Sequence, residues 1–170
     1  MSEDPARSGT NFYRYVGNDP IDFTDPLGLA KCFAQLKYRY ARFGENHSFW
    51  WVQTRTGQQY IVSAGPTGAN GSGSLNVWVD KGSTGTHYPA DNSGASSAFS
   101  TPCDDSTAVC DGVDKLLGAA NTYPNNTIDY GWFGPNSNSV AHYLGQAGGF
   151  DPPQPPKTPY WSTPVPVGHH

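Results

Sequence analysis

The sequence is poor in charge: Asp, Glu, Lys and Arg make up 14% of its 170 residues, and the net charge is −4. The balance is uneven. Residues 1–29 hold two arginines against five acids, whereas residues 30–170 hold eight basic and nine acidic side chains. With no basic cluster to neutralise a row of phosphates, a nonspecific nucleic-acid partner is not expected. Long apolar runs are missing as well. None approaches the roughly 18–20 residues of a membrane-spanning helix. The N-terminus lacks an apolar signal core, so passage out of a producing cell would need a separate carrier. Glutamate is scarce after residue 29, with Glu45 the one example, which disfavours ADP-ribosyl transfer with its catalytic glutamate.

Cysteine is scarce too, and three of them cannot all pair within one chain. Cys103 and Cys110 bracket "CDDSTAVC" and could close a small disulfide; buried or free thiols are the equal alternative. No Cys/His spacing makes a zinc site, and "PCDD" fails the P-C-x-x-C pattern of deaminases. The acidic cluster of Asp104, Asp105, Asp111 and Asp114 reads as helix capping rather than metal binding. Neither metal nor cofactor is expected.

What the chain has is glycine and proline, 20 and 15 residues, with 14% aromatics. That composition suits one turn-rich globular domain with strand content. Residues 32–44, "CFAQLKYRYARFG", read as either a short amphipathic helix or a strand. "HSFWWVQT" and "QQYIVSA" flank "RTG" and predict a hairpin. "LNVWVD" predicts a further strand. Residues 81–106, rich in Gly, Ser and Thr, predict a long surface excursion. "STAVCDGVDKLLGAANTY" predicts a helix near 108–121, capped by Ser106 or Asp105, with Val109, Val113, Leu116 and Leu117 on one face. "SVAHYLGQAGG" predicts a second helix near 139–147, ended by Gly148 and Gly149. Residues 151–170 are too proline-dense for either element and predict an extended Pro-rich arm laid over the domain through Tyr160 and Trp161.

The first 29 residues read differently. "YRYV" and "IDF" are short strands around the turn "GNDP", and "TDPLGL" closes them; so short a piece cannot bury a core alone and reads as the last lap of a repeat array. The pattern Y-x-Y-V-x-N-x-P followed by D-P-x-G-L resembles the end of the Rhs/YD-repeat core. In that family the D-P-x-G-L element separates a large β-cocoon from a variable C-terminal toxin, and an autoproteolytic cut follows it. The resemblance thus implies a cleavage motif at Asp25, Pro26, Leu27, Gly28 and Leu29, with the cut before Ala30. It implies three regions: 1–29 as the end of the Rhs core, 30–150 as the effector domain and 151–170 as the tail. It also implies the partners and route of such effectors: the core cocoon before release, a cognate immunity protein, an unidentified target, and delivery into a competing bacterium by a secretion system such as type VI.

Two segments carry candidate chemistry. His47 opens a predicted strand, and "GPNSNS", residues 134–139, opens a predicted helix, where free N–H groups favour negative charge. Ser137 or Ser139 there could be a nucleophile activated by an imidazole, with the same N–H groups holding an oxyanion. Equally, Asn and Ser are preferred N-caps, and the motif could be a helix start alone. The pair, an early His strand and a late G-P-N-S-N-S helix start, resembles circularly permuted papain-like hydrolases and acyltransferases of the NlpC type. That resemblance implies His47 as general base, Ser137 in place of the usual cysteine, and hydrolysis or acyl transfer at an amide or ester. Gln59 is the weaker expectation for a group that orients His47. An alternative puts the nucleophile at Cys110, on the first turn of the other helix, with His47, His87 or His142 as its base. A third reading is a non-enzymatic module that blocks a target through the aromatics of "SFWWV" and "PYWSTP". The fold class expected throughout is α+β: a small antiparallel sheet from residues 47–80 packed by two or three short helices.

Overall fold

In a computed structural model, the residues described are 31–42, 44–68, 71–83, 85, 94–103, 106–131 and 134–167. The leader with its cleavage motif, His87, Asp104, Asp105 and the terminal histidines lie outside them.

The described chain is α+β. Five strands, β1 (Phe33–Arg42), β2 (Glu45–Gln53), β3 (Gln59–Pro66), β4 (Leu75–Lys81) and β5 (Ser96–Ser100), are followed by two helices, α1 (Thr107–Asn121) and α2 (Ser137–Ala147). They form one antiparallel sheet in the order β4-β3-β2-β1-β5. Residues 33–42 are a strand because their apolar members alternate. Ala34 and Leu36 turn to the core, while the intervening Gln35, Lys37 and Arg39 belong to the other face. Gly44, at φ +81, makes the tight reversal into β2 that a side-chain-bearing residue would resist.

The two sheet faces are unequal. On one, Leu36, Trp50, Val52, Val62, Leu75 and Val77 join Val113 and Leu116 of α1 and Val140 and Leu144 of α2 in a single core. On the other, Phe49 and Ile61 form a small cluster with Trp51 and Ala95. Trp50 centres the main core: its indole N–H donates to the Ala141 carbonyl at 2.8 Å, and its ring lies 5.7 Å from Phe150 and 6.0 Å from Phe99. Gly145 admits it closely; a Cβ there would fall 2.8 Å from Trp50 Cζ2.

Several expectations change. The excursion 81–106 contains β5, whose residues are three serines and an alanine apart from Phe99 and pair with the open side of β1. Composition misses this strand because its partner, rather than its own propensity, makes it. Of the aromatics expected at the surface, Phe49 and Trp50 are fully buried and Trp161 nearly so, while Trp51 and Tyr160 are half-buried. Cys110 is bonded to Cys32, 78 positions earlier, and Cys103 is free and exposed. The short Cys103–Cys110 loop is therefore not the one that closes.

The helix starts are resolved in detail. Ser106 caps α1, its hydroxyl accepting from the Val109 amide. Asn136, not a serine, caps α2. Its Oδ1 accepts from the amides of Asn138 and Ser139 at 2.9 and 3.3 Å, and the Ser139 hydroxyl accepts from the Asn136 amide at 2.7 Å, closing a capping box. Residues 151–167 form neither helix nor strand. They bury Pro152, Pro155, Thr158 and Trp161, every third residue, against the domain.

Candidate active site at the start of the second helix

The six residues of "GPNSNS" divide the work at the start of α2. Asn136 and Ser139 satisfy the helix end between them. Asn138 ties the helix to the sheet: its Oδ1 accepts from the Ser48 amide at 3.0 Å and its Nδ2 donates to the Asn46 carbonyl at 3.1 Å. This is possible because β3 pairs with β2 only from Trp50 onward, leaving the preceding stretch of that edge open. The side-chain amide of Asn138 thus does for β2 what a neighbouring strand would, on the two residues either side of His47.

Ser137 is left over. It is buried, 5% exposed, yet its hydroxyl makes no hydrogen bond among the described residues. Its amide is likewise without an acceptor among them, whereas the amides of Asn138, Ser139 and Val140 are taken by Asn136. An oxyanion site at this helix end would therefore rest on the Ser137 N–H and not on the whole first turn.

His47 is buried on the sheet face that carries Phe49, its ring stacked at 6.2 Å from the Phe49 ring, with Arg39 as cross-strand partner. The face against α2 carries Ser48, Trp50 and Val52 instead. His47 and the start of α2 therefore lie at the same end of β2 but on opposite faces of the sheet, and no hydrogen bond joins the imidazole to Ser137. Burial, reinforced by the Arg39 charge, lowers the His47 pKa to about 3, so the imidazole is neutral at physiological pH.

This burial has a consequence for stability. The unfolded chain takes the proton near pH 6.5 and the folded one near 3, so the contribution of neutral His47 is complete above pH 6.5 and drains away as pH falls toward 3. Between pH 6.5 and 4.5, above most carboxylate titrations, the loss should be on the order of 2–3 kcal/mol. Urea melts of the wild type should show this slope and those of His47→Gln should not; parallel slopes would refute it.

The remaining expected site residues lie elsewhere. Gln59 pairs with Gln53 at the far end of β2, bonding the Gln53 side chain at 2.9 Å and the Trp51 indole at 3.3 Å. Six strand residues, about 20 Å, separate that pair from His47, so Gln59 does not orient the imidazole. Cys110 is committed to its disulfide and offers no thiolate. His142 sits on α2, packed at a tilt 5.0 Å from the Trp161 ring, and lines a cavity of about 370 Å³ with Ser139, Tyr143 and Ser162. No His/Cys/Asp/Glu cluster suited to a metal ion occurs among the described residues, and no helix among them is long and apolar enough to cross a membrane.

Sequence reasoning missed Asn46, Asn138 and Arg39. Their signal is not local, since each acts through a partner on another element. Comparison with protein-family models, with curated proteins and with solved structures returns no match.

Proposed function

We propose that this chain carries the effector of an Rhs-type polymorphic toxin, and that the effector cleaves or transfers an acyl group at an amide or ester through Ser137. The toxin assignment is supported by the Tyr13-to-Leu29 motif, which also supports delivery into a competing bacterium and neutralisation by an immunity protein. The chemistry is supported by one observation above all. Every other polar side chain of "NSNS" has a structural bond, and the Ser137 hydroxyl, at a helix N-terminus beside the His47 strand, has none among the described residues. In the proposed reaction Ser137 Oγ attacks the carbonyl carbon and its proton passes to His47 by way of water at the open edge of β2, since the two side chains lie on opposite faces of the sheet. The imidazolium then gives that proton to the departing amine or alcohol, and water or a second acceptor releases the acyl group. The order of the elements, His strand before nucleophile helix with the helix against that strand, supports a permuted papain-like relationship.

The pairing of Cys110 with Cys32 and the burial of Phe49, Trp50 and Trp161 weaken the two other readings, a cysteine nucleophile and a surface-binding module. Expression of the full chain in a bacterial host tests the proposal. Growth arrest should be lost with His47→Ala and kept with His142→Ala, both variants being checked for folding by circular dichroism. Arrest that survives His47→Ala, or that needs His142 equally, would defeat it. Mass spectrometry of peptidoglycan and proteome from arrested cells would then identify the bond cut.

A further inference from the structure

Residues 154–163 cross the same end of β2 that Asn138 occupies. The Lys157 carbonyl accepts from the Asn46 amide at 2.8 Å, and the Pro156 carbonyl accepts from Asn46 Nδ2 at 2.7 Å. The Pro159 carbonyl lies 3.5 Å from Asn138 Nδ2. Three main-chain acceptors, of Pro156, Lys157 and Pro159, thus meet donors on Asn46 and Asn138. The Asn46 amide points from the open edge of β2, where an added strand would bond. A strand could stay there as a sixth member of the sheet. This segment returns no bond to the strand: the Asn46 carbonyl already accepts from Asn138, and Pro156 and Pro159 have no N–H to offer.

Its hold is also strained. Lys157 and Tyr160 have φ of 54° and 60°, left-handed values that side-chain-bearing residues adopt at a cost. What fixes the segment is Trp161, 6% exposed and packed at a tilt against the His142 ring, with Thr158 buried and bonded to the Pro155 carbonyl at 2.6 Å. The segment is therefore seated by a few anchors, at the end of β2 where Ser137 and His47 are 5% and 2% exposed.

We propose that residues 156–159 are a built-in plug. Their carbonyls fill a main-chain recognition edge, and the ligand for which they stand in is an extended peptide chain. The proposal rests on the reading of Ser137 and His47 as the site, and gives that site a substrate class and a closed state. Opening requires Trp161 to leave its seat; an entering peptide then takes the Asn46 and Asn138 donors and brings its own carbonyl to Ser137.

The test measures access, not turnover, so it is independent of whether Ser137 is a nucleophile. In the full chain carrying Cys103→Ser, to remove the exposed thiol, and Ser137→Cys, the rate of alkylation by iodoacetamide reports how often the plug opens. Adding Trp161→Ala should raise the rate about tenfold or more. Asn46→Ala, which removes one side-chain bond and spares the core, should raise it about threefold to tenfold. A synthetic peptide of sequence QPPKTPYWST, supplied in trans, should slow alkylation of the Asn46-intact, Trp161→Ala protein again. Equal rates in the parent and the Asn46→Ala protein, or no protection by the peptide, would overturn the proposal. Should Trp161→Ala unfold, the Asn46→Ala comparison decides.

Discussion

Ser137→Ala should abolish activity and leave the fold alone. Its hydroxyl bonds to nothing among the described residues, so alanine removes no cap and no tie to the sheet. Turnover, or toxicity as its proxy, should fall by roughly three to six orders of magnitude, the range seen when a nucleophile is removed. The melting temperature should barely move. The neighbouring substitutions reverse this pattern. Asn136→Ala strips two amides of their acceptor, and Ser139→Ala breaks the other half of the capping box; each should cost about 1–2 kcal/mol. Ser137→Cys is the complementary variant, since a thiol at a helix N-terminus is favoured as thiolate. It should retain measurable turnover that alkylation destroys. Full activity in a folded Ser137→Ala protein would end the assignment.

The Cys32–Cys110 bond sets the second large effect. Both sulfurs are buried, and the bond joins the residue before β1 to the first turn of α1 across 78 positions. Cross-linking so long a loop removes unfolded-state freedom equivalent to about 4.5 kcal/mol. The double variant Cys32→Ala/Cys110→Ala should therefore melt roughly 10–15 °C lower than the parent. The double variant is the better probe than a reductant, because a buried bond must open before it can be reduced. A melting temperature within two or three degrees of the parent would show that the bond is dispensable.

Much of the sheet is legible in the residues themselves. "HSFWWVQT" and "QQYIVSA" alternate around a glycine turn, and that local pattern suffices for β2 and β3. The helices are legible from their spacing and caps. What escapes is whatever depends on a partner distant in the chain. Ser96–Ser100 has no strand signature and becomes one against β1. Cys110 is seven residues from Cys103 yet bonds to Cys32, because α1 crosses the sheet at the start of β1. In "GPNSNS" the sequence leaves open which residue caps and which reacts. The structure answers the first half: Asn136 and Ser139 form the cap, and the Asn138 amide is taken by Ser48, 90 residues away.

That amide has a geometric consequence for α2 as a whole. The helix touches β2 at two fixed points, Asn138 on residues 46 and 48 and the Ala141 carbonyl on the Trp50 indole. Three helical residues advance about 4.5 Å, and two strand residues about 6.6 Å, so the two scales engage like the rulings of a vernier. Sliding α2 forward by one turn, about 5.4 Å, would carry the Asn138 amide off the open edge and into the stretch that β3 already fills. Only one alignment brings both scales into coincidence, and it sets the first turn of α2 against residues 46 to 48 of the strand.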